Sequence, residues 1–173
     1  MAIVSYIVSF IATILGLCEP FWKKMKTILI FNFTGNFLVG VSYFLVGSLS
    51  GAAICAVACI QVFINYIFDV KEQKIPIWLI CIYAVAFLGV NLLSFSAWYD
   101  VFSLIAAMLF VISVAQSSSK HYRVLYFLNS LVWIFYDFLA GAYGNLITHI
   151  VLIIATFAGI IIRDMKKRPS NQR

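Results

Sequence analysis

The stretch from Arg123 to Arg163, RVLYFLNSLVWIFYDFLAGAYGNLITHIVLIIATFAGIIIR, decides the fold. Between its two terminal arginines it holds no Lys or Arg and a single acid, Asp137. Gly141, Ala142 and Tyr143 split it into two apolar runs of about 20 residues, the length that crosses a hydrocarbon core. In lipid every backbone N–H and C=O must be satisfied within the segment, so both runs read as helices despite their Val, Ile and Phe content.

Working outward, polar breaks cut the rest of the chain the same way. The segments run over 2–18, 27–46, 50–68, 76–94, 98–116, 122–140 and 144–163, with no Lys or Arg inside them apart from Arg123 and Arg163 at segment ends. Composition agrees: of 173 residues 64% are apolar and 10% charged, and mean hydropathy is +1.05. A soluble domain is about half apolar and a quarter charged, and a chain of this size cannot bury such an excess. Soluble enzyme, nucleic-acid binder and disordered tail are thereby excluded. At about 20 residues per span the length allows seven or eight spans and no extramembrane domain. Residues 2–18 precede the first basic residue, Lys23, and so lack the basic start of a cleaved leader; they read as the first span. Cys18, Cys55, Cys59 and Cys81 lie in or beside apolar runs and read as small packing residues. With two histidines in the chain, Cys55 and Cys59 lack further ligands for a metal site.

The basic residues fix the orientation. With connections numbered alternately on two sides, one side holds Lys23, Lys24 and Lys26, then Lys71 and Lys74, then Lys120 and Arg123, then the tail with Arg163, Lys166, Lys167, Arg168 and Arg173. That is all 12 of them; the other side has none. This predicts seven spans, an outside N-terminus and a cytoplasmic C-terminus.

Sliding the chain against itself by 94 positions places Phe10–Leu15 on Leu104–Leu109, Lys26 on Lys120, and Phe44–Gly47 on Phe138–Gly141, without a gap. Basic loop falls on basic loop and glycine turn on glycine turn. The expected architecture is all-α: two parallel three-helix bundles, residues 1–68 and 98–163, joined by a linker helix within 69–97 and followed by a basic tail, 164–173. A parallel repeat of this kind suggests a transporter with its site between the halves.

This plan resembles the SWEET and PnuC transporters, which carry sugars and vitamin-type nucleosides between two three-helix bundles. At family level the chain most resembles the YgjV-type bacterial inner membrane proteins, on Asn129–Asp137 (NSLVWIFYD), Gly141, Gly144 and the exit Ile162-Arg163. The resemblance implies a fold and a bacterial inner membrane location, and names no substrate. One departure from the SWEET pattern concerns prolines. Those transporters hinge at a mid-helix proline, whereas Pro20, Pro76 and Pro169 all lie at segment ends here. Hinging is left to glycines such as Gly16, Gly35, Gly40 or Gly89.

Polar groups inside a span are costly and face the bundle interior. Asn129, Trp133 and Asp137 recur at i, i+4 and i+8 on the sixth segment, and Asn145 and His149 lie one turn apart on the seventh. Asp137 and His149 are equally far from Tyr143 at the hairpin tip, which puts a carboxylate and an imidazole at one depth. Such a pair can be hydrogen-bonded glue, a proton site or part of a ligand pocket. Asn32, Asn36 and Tyr43 mark the second segment, and Gln61 and Asn65 the third. Each Asn and Gln has a competing reading as interhelical glue. Trp22, Trp78, Trp98 and Tyr99 lie at segment ends and read as an interfacial belt. Trp133 lies mid-segment and reads either as a stacking surface or as core.

No catalytic motif, metal-ligand cluster or phosphate loop is found, so the expectation is no enzyme, no catalytic residue, no metal and no cofactor. The function read from the sequence is transport of a small polar solute, sugar- or vitamin-like, passive or proton-coupled, with Asn36, Asn129, Trp133, Asp137 and His149 at the substrate. The alternative is a non-transporting assembly or partner-binding subunit. Partners are the lipid bilayer and the solute, with no nucleic acid; a homo-oligomer is left open.

Overall fold

The computed structural model describes residues 2–45, 49–93, 95, 97–139 and 143–165. Its regular elements are helices: α1 (Ala2–Cys18), α2 (Met25–Leu45), α3 (Leu49–Val70), α4 (Ile77–Leu93), α5 (Asp100–Val114), α6 (Ser119–Leu139) and α7 (Tyr143–Ile160). A 3-10 turn, Glu19–Phe21, follows α1, and a π-helical turn, Ile161–Met165, follows α7. No strand occurs among the described residues. The glycine turn at Gly141 and the basic tail beyond Met165 lie outside them, as do the side chains of Tyr43, Gly144 and Asn145.

Local chemistry sets the helix ends. Pro76 precedes α4, and its carbonyl accepts from the N–H groups of Leu79 (3.0 Å) and Ile80 (3.3 Å). Asp100 opens α5 and its carboxylate reaches back to the N–H of Ala97 at 2.8 Å. Beyond α3 the N–H of Gln73 bonds the carbonyl of Phe68 (2.9 Å) and that of Glu72 bonds Asp69 (3.1 Å), the paired closure of a Schellman motif. Glu72 sits at φ 54°, where glycine is usual. α6 starts three residues earlier than the apolar run. Tyr122 N–H closes its first turn on Ser118 (3.0 Å), and Arg123 is drawn inside the protein at 2% exposure. The sequence placed Arg123 among the loop charges.

α2 packs between α1 and α3, α6 between α5 and α7, and α4 lies against α3 and α5. α7 returns to α1 and α3 touches α5, so the first three helices meet the last three along two seams. On one seam the Gln61 and Asn65 amides donate to the carbonyls of Val111 (3.0 Å) and Val114 (2.9 Å) on α5. On the other, Gly159 of α7 lies so close to Pro20 that an added Cβ would stand 2.8 Å from its Cβ and carbonyl oxygen. α2 and α6 lie 94 residues apart at both ends, and α3 and α7 begin 94 apart.

Two apolar clusters hold the frame. Met25, Ile28, Leu29, Val62, Val114 and Tyr122 join α2, α3, α5 and α6. Ala58, Leu79, Tyr83, Phe87, Ala107 and Val111 join α4 to α3 and α5. Around them the usual distribution is reversed. Phe10, Phe37, Phe63, Ile77, Val85, Phe138 and Ile154 are exposed, while Glu19, Asn32, Gln61, Asn65, Arg123, Asn129 and Asp137 are buried. Apolar outside and polar inside is the solvation pattern of hydrocarbon. Ala52–Val70 and Leu146–Met165, with mean hydropathy 1.9 and 2.2, are long and apolar enough to cross a membrane.

Candidate functional site

A cavity of about 260 Å³ lies between α1, α2 and α3 on one side and α5, α6 and α7 on the other. That is just below the usual range for small-molecule pockets, about 300–1,000 Å³. Its polar lining comes from Thr13, Glu19, Asn32 and Asn36 on the first wall and Tyr126, Asn129, Tyr136, Asp137, Thr148 and His149 on the second, with Trp133 between. The lining includes two carboxyl groups and an imidazole, and no Lys or Arg.

All five residues singled out in the sequence line this one cavity. Asp137, 1% exposed, lies with Oδ2 2.7 Å from His149 Nδ1. Equal distance from the hairpin tip does place the two at one depth, and α6 and α7 then turn them toward each other. The indole of Trp133 stacks flat on the His149 ring, centroids 5.6 Å apart and planes 4° from parallel. Tyr136 meets Trp133 edge-on at 5.4 Å. This aromatic cradle fixes the imidazole, leaving its second nitrogen for a ligand or a proton. Asn36 and Asn129 are partly committed. Asn36 Nδ2 donates to Asn32 Oδ1 and to the Asn32 carbonyl, both at 2.9 Å, and Asn129 Nδ2 donates to the Ala106 carbonyl at 2.6 Å. Gln61 and Asn65 bind α5 and do not line the cavity.

The opposite end of the cavity was missed in the sequence. There Glu19, in the turn after α1, is 2% exposed. Asn32 Nδ2 donates to its Oε1 at 3.2 Å and Oε2 at 3.4 Å, and the Tyr122 hydroxyl donates to Oε1. Asn32 also donates to the Tyr122 oxygen at 3.2 Å, and Tyr126 stacks on Tyr122 at 5.3 Å. Burial pushes the Glu19 carboxyl up to about 8, against the opposing pull of the Asn32 hydrogen bond. In sequence Glu19 lies outside the apolar segments, in the break that also holds Lys23, Lys24 and Lys26. One signal was available: the 94-residue offset sets Glu19 on Ser113, inside an apolar segment.

Next to it Arg123 seals this end. Its Nε and Nη2 grip the Asp164 carboxylate at 2.8 and 2.5 Å, Nη1 donates to the carbonyls of Trp22 (2.8 Å) and Pro20 (3.3 Å), and Nη2 also reaches Ser119 at 3.4 Å. The two-pronged ion pair is buried on both sides. It straps α6 and the turn after α7 to the turn after α1.

The lining residues pair at the 94-residue offset. Gly16 and Phe110, Asn32 and Tyr126, Gly35 and Asn129, Val39 and Trp133, Ile54 and Thr148, and Cys55 and His149 all face the cavity.

The family model that matches the chain, over residues 3–168, is Imp-YgjV, described as bacterial inner membrane protein. No curated protein and no solved structure matches it.

Proposed function

The chain belongs to the Imp-YgjV family of bacterial inner membrane proteins, and from that premise we propose that it is a small-solute transporter of SWEET or PnuC type. The observation that carries the reading is the offset pairing of the cavity lining: six positions of the first three helices and their counterparts in the last three face one space. Two parallel units around a shared site is the arrangement of transporters built from parallel repeats. The coincident ends of α2 and α6 support the same repeat. In this reading all seven helices span, the N-terminus is outside, and the end sealed by Arg123 faces the cytoplasm with the basic residues.

The chemistry narrows the solute. Two carboxyl groups and no Lys or Arg in the lining disfavour anions. A neutral or cationic solute with hydrogen-bonding groups fits the Asn36 and Asn129 amides, the Asp137–His149 pair and the Trp133 rim. The reading assigns transport and no catalysis.

The test is uptake by purified protein in liposomes of a labelled hexose, a nucleoside and a primary amine. At least one of the three is expected to enter, with Trp133→Ala slowing it at least tenfold and Asp137→Asn altering its pH dependence, both at unchanged expression. No entry of any of the three, or entry indifferent to both substitutions, returns the chain to the reading of a partner-binding subunit.

A further inference from the structure

Resting on the transporter reading above, we propose that Glu19 binds the coupling proton at the closed end of the cavity. The position is unusual for an acid. It faces the cavity yet is 2% exposed, and among the described residues it has no cation of its own. The guanidinium on the same seam, Arg123, is spent on Asp164, on Ser119 and on the carbonyls of Pro20 and Trp22. A carboxylate buried without a countercharge is costly, and neutralising it with a proton is the inexpensive remedy.

Its surroundings suit both protonation states. The anion is held by two donors, Asn32 Nδ2 and the Tyr122 hydroxyl. When the acid is neutral it carries a proton of its own, and the Tyr122 oxygen, whose hydroxyl rotates, can accept it. A group that must load and release a proton needs partners in each state. Among the described residues, the other elements packed on the turn add no compensating charge. Tyr126 stacks behind Tyr122, Gly159 of α7 abuts Pro20, and Lys23 and Lys24 are exposed. The elevated titration range of Glu19 agrees with this geometry.

A proton here also acts where the halves meet. Glu19 belongs to the first half and Tyr122 to the second, so the bond between them crosses the seam. Protonation turns a charge-assisted hydrogen bond into a neutral one, about half as strong. Toward the cavity, Asn36 bonds Asn32, which bonds Glu19, a continuous polar line from the solute space to the acid.

Two measurements on the full-length protein test the proposal. In detergent, infrared difference spectra over a pH titration should show a protonated-carboxyl C=O stretch, sensitive to heavy water, that is lost at mildly alkaline pH. It should be absent in Glu19→Gln. Tyr122→Phe, which removes a donor to the anion and keeps the ring, should move the loss about one pH unit higher. In liposomes, a one-unit inward proton gradient should concentrate the transported solute up to about tenfold, the limit for one proton per solute. Glu19→Gln should still equilibrate the solute but not concentrate it. Gradient-driven accumulation in Glu19→Gln, or a titrating band unchanged by that substitution, overturns the proton site and leaves the transporter standing. A Glu19 band in a protein that moves none of the hexose, nucleoside and amine overturns the transporter reading and keeps the proton site.

Discussion

Arg123 and Glu19 sit side by side at the sealed end and respond to substitution for different reasons. Arg123→Gln strands the Asp164 carboxylate and removes the donor from two backbone carbonyls. Breaking one side of a buried ion pair costs about 3–5 kcal/mol, so thermal unfolding in detergent should fall well below wild type, and a double change with Asp164→Asn should recover part of the loss. Glu19 gives a pH dependence instead. Its folded value is raised from 4.5 to about 8, so between these limits the folded state binds more protons than the unfolded chain. The stability it contributes is complete below about 4.5 and is lost as pH rises through about 8. Unfolding temperature should therefore drop from pH 5 to pH 8, with a flatter profile in Glu19→Gln. A profile identical in both proteins contradicts the assignment. Asp137 and His149 were legible in sequence because both count from the same hairpin tip. Glu19 was not, because its partner Tyr122 lies 103 residues away and no local pattern brings them together.

Helix by helix, the polar breaks carried most of the information, and the ends moved where a side chain competed with hydropathy. α5 begins at Asp100 rather than at residue 98, and the Asp100 carboxylate accepts from the N–H of Ala97 in the turn ahead of the helix. α6 begins at Ser119 because Arg123 finds partners inside and need not stay in water. The π-helical turn at Ile161–Met165, which delivers Asp164 to Arg123, has no signature in the apolar pattern. The end of α3 yields a stabilising substitution. Glu72 adopts a left-handed conformation at φ 54°, which costs a residue with a Cβ about 1–2 kcal/mol. Glu72→Gly should relieve about 1 kcal/mol of that and raise the unfolding temperature without touching the cavity. A lowered temperature would show that the Glu72 side chain matters more than its backbone.

For the molecule as a whole, the membrane class followed from composition, and the placement of 12 basic residues predicts an orientation. Reporter fusions ahead of Ala2 and after Arg173 should report opposite sides, outside and cytoplasmic. Both on one side would rule out an odd number of spans. The 94-residue offset was read from loops and charges; α2 and α6 begin and end 94 residues apart, and six pairs of cavity positions have the same spacing. What the offset could not convey is how unlike the two matched walls are, since equivalence of position says nothing about equivalence of bulk.

That unlikeness amounts to a division of labour. Of the six matched positions, the first wall supplies Gly16, Gly35, Val39 and Cys55 where the second supplies Phe110, Asn129, Trp133 and His149. The second wall is the bulkier at these four positions, while Thr13, Glu19, Asn32 and Asn36 give the first wall polar groups of its own. A Cβ at Gly35 would meet no atom within 4 Å, so the hollow there is already open. Gly35→Leu should plug the hollow and stop uptake while leaving unfolding temperature near wild type, whereas a filled but still conducting protein would place the route elsewhere.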